Sequence, residues 1–196
     1  PVLWPELEKS VNKLVQGLNE LGADAQLKEV RMAYSRKDQR AAAYLIADGN
    51  IEVFRRDHTW LEMTDLSGIE VETPEARWRH GNLELGYDHA NANDFSLLYE
   101  PAMFTQAFPE VNDALVTAVT RAIRPQTGPR VLELHSGIGN FSIPLARAGA
   151  EMVTYEANTR AAILAGRNAR LAGVAVETHG EPDTAALGRI GEFGVL

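Results

Sequence analysis

The chain has no cysteine among its 196 residues. That excludes disulfides, thiolate metal sites and any covalent step on a cysteine nucleophile. Basic residues are in deficit, with 19 Lys and Arg against 27 Asp and Glu, for a net charge of −8. Such a balance works against binding nucleic acid through phosphate contacts alone. No apolar run approaches the roughly 20 residues needed to span a bilayer, and no signal-peptide pattern is visible. The expectation is a chain with no membrane association and a cytoplasmic location. His58, His80, His89 and His179 show no metal-ligand spacing. What remains, 45% hydrophobic and 23% charged residues, suits one globular domain or two small ones.

Organisation follows from periodicity. Leu7, Val11, Leu14, Leu18 and Leu21 recur at spacings of three and four behind Pro5 and before Gly22, so a helix is expected over 5–21. Short strands are expected at 27–34, 42–46, 51–54 and 83–87, with Asp48-Gly49-Asn50 as a turn and 91–94 as a loop. This is a small α+β domain over 1–94. A second domain over 95–196 alternates helices and strands. A helix over 109–123 shows Val111, Leu115, Ala118 and Ala122 on one face; strands follow at 131–135, 152–155 and 174–178, with helices from about 141 and over 159–171. Alternation of this kind builds a parallel sheet. The last residues, from Gly191, read as the start of a fourth strand.

Chemistry is expected at Val131-Leu132-Glu133-Leu134-His135-Ser136-Gly137-Ile138-Gly139-Asn140-Phe141. Here a strand passes through an acid into a glycine turn and then a helix. Gly137 and Gly139 let the backbone turn tightly and approach a ligand. Ser142 stands where a dinucleotide fingerprint has its third glycine, which weakens a nicotinamide or flavin reading. Glu156 ends the next strand, roughly 20 residues on, at the spacing from which an acid reaches a ribose diol. Duller readings stand beside these. Glu133 would also serve by capping backbone amides, Asn140 as a turn residue, and Glu156 as a solvated strand-end acid.

The glycine turn with its two acids resembles the first and second motifs of class I S-adenosylmethionine-dependent methyltransferases. A narrower resemblance lies in Phe104-Thr105-Gln106-Ala107-Phe108-Pro109-Glu110-Val111-Asn112, in Gly137-Ile138-Gly139-Asn140-Phe141-Ser142-Ile143-Pro144-Leu145-Ala146, and in Gly166-Arg167-Asn168-Ala169 with its closing Gly173. These are similar to the RNA uracil-5-methyltransferase family. The resemblance implies an α/β fold: a partial Rossmann-like class I methyltransferase sheet preceded by a small α+β central domain that helps to hold RNA. It implies S-adenosyl-L-methionine as cofactor, contacted by Gln106, His135, Asn140 and Glu156, with Glu133, Gly137 and Gly139 shaping the turn. A further contact is expected at Glu181, with Asp183 as its rival. His135 and Ser136 replace a usual aromatic residue and a usual cysteine.

The family attacks uracil C6 with a thiolate, which this chain does not possess. The carboxylate that removes a proton, and an Asp-Pro-Pro loop, are also absent, and Pro1 to Leu7 is similar to the family segment after an iron–sulfur motif. The chain is therefore expected to be a middle fragment holding part of the cofactor site, inactive alone, of an enzyme that methylates uridine C5 in rRNA or tRNA. Self-association through the cut sheet is expected. Two other readings stay open: a class I methyltransferase acting on a small molecule or protein, and a non-catalytic remnant that binds cofactor or RNA. Arg36, Lys37, Arg40, Arg55, Arg56, Arg77 and Arg79, with Trp60 and Trp78, suggest RNA stacking. Exposed charges and core tryptophans are the stronger reading.

Overall fold

The computed structural model describes residues 4–88, 95–106 and 108–193. The expected loop at 91–94, His89, and residues 1–3, 107 and 194–196 lie outside them. The chain divides into two compact units, one of residues 1–86 with 100–102 and one of residues 87–99 with 103–196.

In the first unit, helix α1 (Pro5–Leu21) ends at Gly22, whose φ of 68° is the left-handed turn the sequence signals. Strands β1 (Leu27–Ser35), β2 (Arg40–Ala47), β3 (Leu66–Glu72) and β4 (Arg77–Gly81) form one sheet in that order. The β1/β2 and β3/β4 pairs are antiparallel, while β2 and β3 run parallel. Leu14 of α1 meets Ala43, Leu45, Ile69 and Val71 of the sheet in a buried core.

Residues 51–54, expected as a strand, belong instead to the short helix α2 (Glu52–Arg55), followed by α3 (Thr59–Glu62). Asn50 Oδ1 accepts from the Glu52 amide at 2.9 Å, and Arg55 pairs with Glu52 one turn on, also at 2.9 Å. Phe54 and Trp60 are buried edge to face, with ring centroids 6.2 Å apart. Packing of these two rings overrides the strand propensity of Ile51 and Val53.

The chain passes into the second unit through β5 (Leu85–Asp88), which pairs with β6 (Ser96–Tyr99). Then come α4 (Pro109–Ile123), β7 (Arg130–Leu134), α5 (Ser142–Arg147), β8 (Glu151–Tyr155), α6 (Thr159–Leu171), β9 (Val176–His179) and a run of 3-10 turns, Asp183–Glu192. Strands β7, β8 and β9 are parallel neighbours in that order. One side of the sheet packs Met152, Leu145 and Ala150 with Val119 and Ile123. The other packs Val153 and Tyr155 with Ala186 of the 3-10 run.

Two expectations fail here. Helix α4 buries Asn112, Asp113 and Val116, whereas Val111 and Leu115 stand 54% and 41% exposed and Ala118 and Ala122 are exposed too. The apolar stripe is the outer face, because Asn112 is drawn inward by a hydrogen-bond partner described below. Gly191 and Glu192 close the 3-10 run, where Arg130 and Arg189 hold the Glu192 carboxylate, so the expected fourth strand does not start at Gly191; its remaining positions 194–196 lie outside the described residues.

The α1 contact can be tested at Gly17, where an added Cβ would lie 2.4 Å from the Trp60 carbonyl oxygen. Gly17→Ala should gain about 1 kcal/mol in helix propensity yet lose more to overpacking. A net destabilisation of roughly 1–3 kcal/mol in urea unfolding is expected; a stabilised variant would show that α1 is free to shift.

Candidate cofactor site

The second unit gathers its polar residues at the C-terminal ends of β7 and β8. Strand β7 stops at Leu134, and His135 takes the left-handed conformation at φ 56°, followed by Gly137 at 55° and Gly139 at 94°. A non-glycine residue at positive φ is uncommon and marks a constrained backbone. The Ser136 amide donates to the Tyr155 carbonyl at 3.3 Å, and the Gly139 amide to Ser136 at 3.0 Å, so the turn folds back on the sheet. A Cβ built on Gly137 meets nothing within 4 Å, which leaves open space against the backbone. One at Gly139 would strike Ile143 Cδ1 at 2.7 Å. Helix α5 has only six residues, so the turn's own amides dominate the local field.

Glu156 ties the two strand ends together. Its Oε2 accepts from the Gly137 amide at 2.8 Å, and its Oε1 from the Asn158 amide at 2.8 Å. Asn158 in turn caps α6, accepting from Arg160 and Ala161. Asn140 is fixed by a reciprocal carboxamide pair with Asn112, at 3.0 and 2.8 Å. Asn168 of α6 donates to the Ile138 carbonyl at 3.0 Å and to Leu98 O at 2.9 Å, and accepts from Leu98 N at 2.8 Å. Both turn-supporting asparagines, 112 and 168, are wholly buried.

A pocket opens beside this turn, lined by Tyr87, Phe104, Gln106, Glu133, His135 and Asn140 together with the turn backbone. Five of the expected site residues, Gln106, Glu133, His135, Gly137 and Asn140, therefore share one wall system. Gly139 lies buried beneath it and Glu156 braces it from behind through Gly137. Glu181 is exposed and does not line the pocket, whereas Asp183 sits 3.6 Å from the His135 imidazole. Tyr87 and Phe104 were not anticipated as lining residues. Phe104 stood inside the quoted upstream element, but Tyr87 is brought in by β5 with no local signal.

Glu133 Oε2, Ser136 Oγ and Ser142 Oγ are buried and make no hydrogen bond among the described residues. Although Glu133 as a residue is half-buried, its carboxyl is out of water. Burial pushes its pKa up to about 8; hydrogen bonding from Ser142 partly offsets this, and the Glu156 charge adds to it. Orphaned buried oxygens beside an open glycine turn are what a bound polar ligand or an ordered water would satisfy. The site thus offers unused hydrogen-bonding oxygens to a polar ligand. Among the described residues no group of acids and histidines could hold a metal ion.

No protein-family model matches the chain. Its fold is shared with the Pyrococcus abyssi tRNA (uracil-54, C5)-methyltransferase, solved in complex with S-adenosyl-L-homocysteine. The TM-score is 0.63 at 18% identity, covering 84% of this chain and 44% of that one. The chain therefore shares the Rossmann-like α/β fold of that protein. In sequence the chain is similar to part of curated RNA uracil-C5 methyltransferases. It is 41% identical over 69 residues to the 23S rRNA (uracil(1939)-C(5))-methyltransferase RlmD of Shewanella sp. strain ANA-3, and 40% identical over 93 residues to that of Nitrosococcus oceani. Those matches cover 35% and 47% of this chain but only 15% and 20% of the relatives' own length.

The buried carboxyl and the buried asparagine each carry a prediction. Because folding raises the Glu133 pKa, the folded state binds the extra proton between the unfolded value near 4.5 and about 8. Its stabilising contribution is complete below that window and is lost as pH rises through it, at up to ~1.4 kcal/mol per pH unit. Urea unfolding from pH 5 to 8 should show Glu133→Gln gaining on the wild type as pH rises; parallel profiles would place the carboxyl in water. Asn168→Ala strands buried backbone groups at Leu98 and Ile138 and should cost roughly 2–4 kcal/mol in the same assay. A loss below ~0.5 kcal/mol would mean that water replaces the carboxamide.

Proposed function

We propose that this chain holds the S-adenosyl-L-methionine-binding part of an enzyme that methylates uridine C5 in rRNA or tRNA. The observation that carries the reading is the Glu156 carboxylate hydrogen-bonded to the Gly137 amide at 2.8 Å behind the pocket wall. It sets an acid beside a glycine turn, where a ribose diol exchanges hydrogen bonds with it. Unsatisfied buried oxygens of Glu133 and Ser136 support the same assignment, since a polar ligand would give them partners. In this reading Gln106 and His135 flank the adenosyl group from the pocket wall, and Asn140 is held ready by Asn112. Gly137 gives the ligand backbone access, and Gly139 keeps the turn compact. Asp183, beside His135, takes the place first expected for Glu181.

The names of the relatives support RNA as the substrate of the whole protein, and the first unit, as a central domain, would help to hold it. With no cysteine, these 196 residues supply no thiolate for attack at C6. Their part is to bind the methyl donor and to orient it. No helix among the described residues is long and apolar enough to cross a membrane, which is consistent with action in the cytoplasm. Among the described residues β7 has a strand neighbour on one side only, and the exposed Val111 and Leu115 add apolar surface. Self-association through such surface is part of the proposal, and a monodisperse monomer in light scattering would remove it.

Calorimetric titration of S-adenosylhomocysteine tests the site directly. Wild type should bind, and Glu156→Ala should lose at least about tenfold in affinity, the scale of one charge-assisted hydrogen-bonding group. Equal affinity in the two proteins would remove Glu156 from the cofactor.

A further inference from the structure

The arginines and tryptophans of the first unit, adjacent in sequence, separate in space. Trp78 pairs across from Val71 and His80 from Ile69, so both side chains lie on the core face of the sheet, at its edge strand β4. Arg77 and Arg79 alternate to the opposite face, where they meet Glu72 at 2.9 Å and Glu100 at 2.6 Å. Trp60 is buried in the core, 1% exposed. Trp78 is instead half-buried, with His58 and His80 exposed around it.

The three rings form a closed triangle. Ring centroids are 5.4 Å apart for His58 and Trp78, 5.8 Å for Trp78 and His80, and 5.1 Å for His58 and His80. The two rings on Trp78 are tilted from it by about the same angle, 30° and 32°. Neither the imidazoles nor the Trp78 indole N–H makes a hydrogen bond or ion pair among the described residues. The cluster therefore offers π faces bordered by unused ring nitrogens, which an apolar docking surface would not have.

We propose that His58, Trp78 and His80 form a stacking platform for an unpaired base of single-stranded RNA. The inference rests on the RNA reading above and adds to it a place on the first unit. Chemistry favours a base over a peptide. A base presents its own π face to the indole and hydrogen-bonding edges to the imidazole nitrogens. Charge gives little help. At a net charge of −8, with Arg55, Arg77 and Arg79 already paired to carboxylates, phosphate attraction is weak and affinity must come from stacking.

The test uses the whole chain and a short fluorescein-labelled single-stranded oligoribonucleotide of mixed sequence at low salt, followed by anisotropy. Trp78→Ala should weaken binding about tenfold, within the range for loss of one stacked base. Because Trp78 also touches the core, the double variant His58→Ala/His80→Ala, on exposed side chains, serves as the second probe and should weaken binding by a similar order. Trp4→Ala, which removes the other accessible indole of this unit, should leave it unchanged. In a Trp4→Phe background the single strand should quench tryptophan emission, and a duplex of the same sequence should not. Unchanged affinity in the folded His58→Ala/His80→Ala and Trp78→Ala variants would overturn the platform while leaving RNA binding in place. A wild type that binds neither strand form would overturn both the platform and the RNA role of this unit, and the cofactor reading would still stand or fall on calorimetry.

Discussion

Asn168 satisfies three hydrogen-bonding positions on backbone that neither sheet nor helix would serve: the amide and carbonyl of Leu98 and the carbonyl of Ile138. One carboxamide thereby fastens β6, the glycine turn and helix α6 to one another. A buried carbonyl left without a partner costs on the order of 1–3 kcal/mol, so the turn keeps its shape only where such partners exist. The Asn112 and Asn140 pair does the same from the side of α4, and it explains why that helix turns a polar residue inward and leaves Val111 and Leu115 outside. The pocket is the open side of a turn held at three points.

The two acids of the site are placed in opposite environments. Glu156 has backbone amides on both oxygens. Glu133 is buried with an unsatisfied oxygen, which favours the neutral form. Two carboxyls close in sequence and alike in chemistry thus acquire distinct parts through their surroundings.

Much of this site was legible from residues alone because its elements are local. A strand, an acid and a glycine turn lie within ten residues, and the next strand ends at Glu156 after a spacing that geometry limits closely. Helix α6 was readable end to end, and the structure adds Asn158 as its cap. The short helix over 52–55 was not, because Ile51 and Val53 carry strand propensity and only the burial of Phe54 against Trp60 decides otherwise. Strand β4, Arg-Trp-Arg-His-Gly, shows no clean alternation. It is a strand because β3 offers it a register.

The sequence by itself determined the helices and parallel strands that flank the glycine turn, that the backbone would turn tightly at its glycines, and that an acid would stand at the end of each of the first two sheet strands. Those properties follow from side-chain period and steric freedom within a few residues. Only the tertiary structure decided which face of α4 is buried, that Asn112 and Asn168 support the turn, that Asp183 and not Glu181 approaches His135, and that His58 joins Trp78 and His80. Each of these joins residues about 20 or more positions apart, where local propensity has no say and hydrogen-bond satisfaction and packing choose the partner.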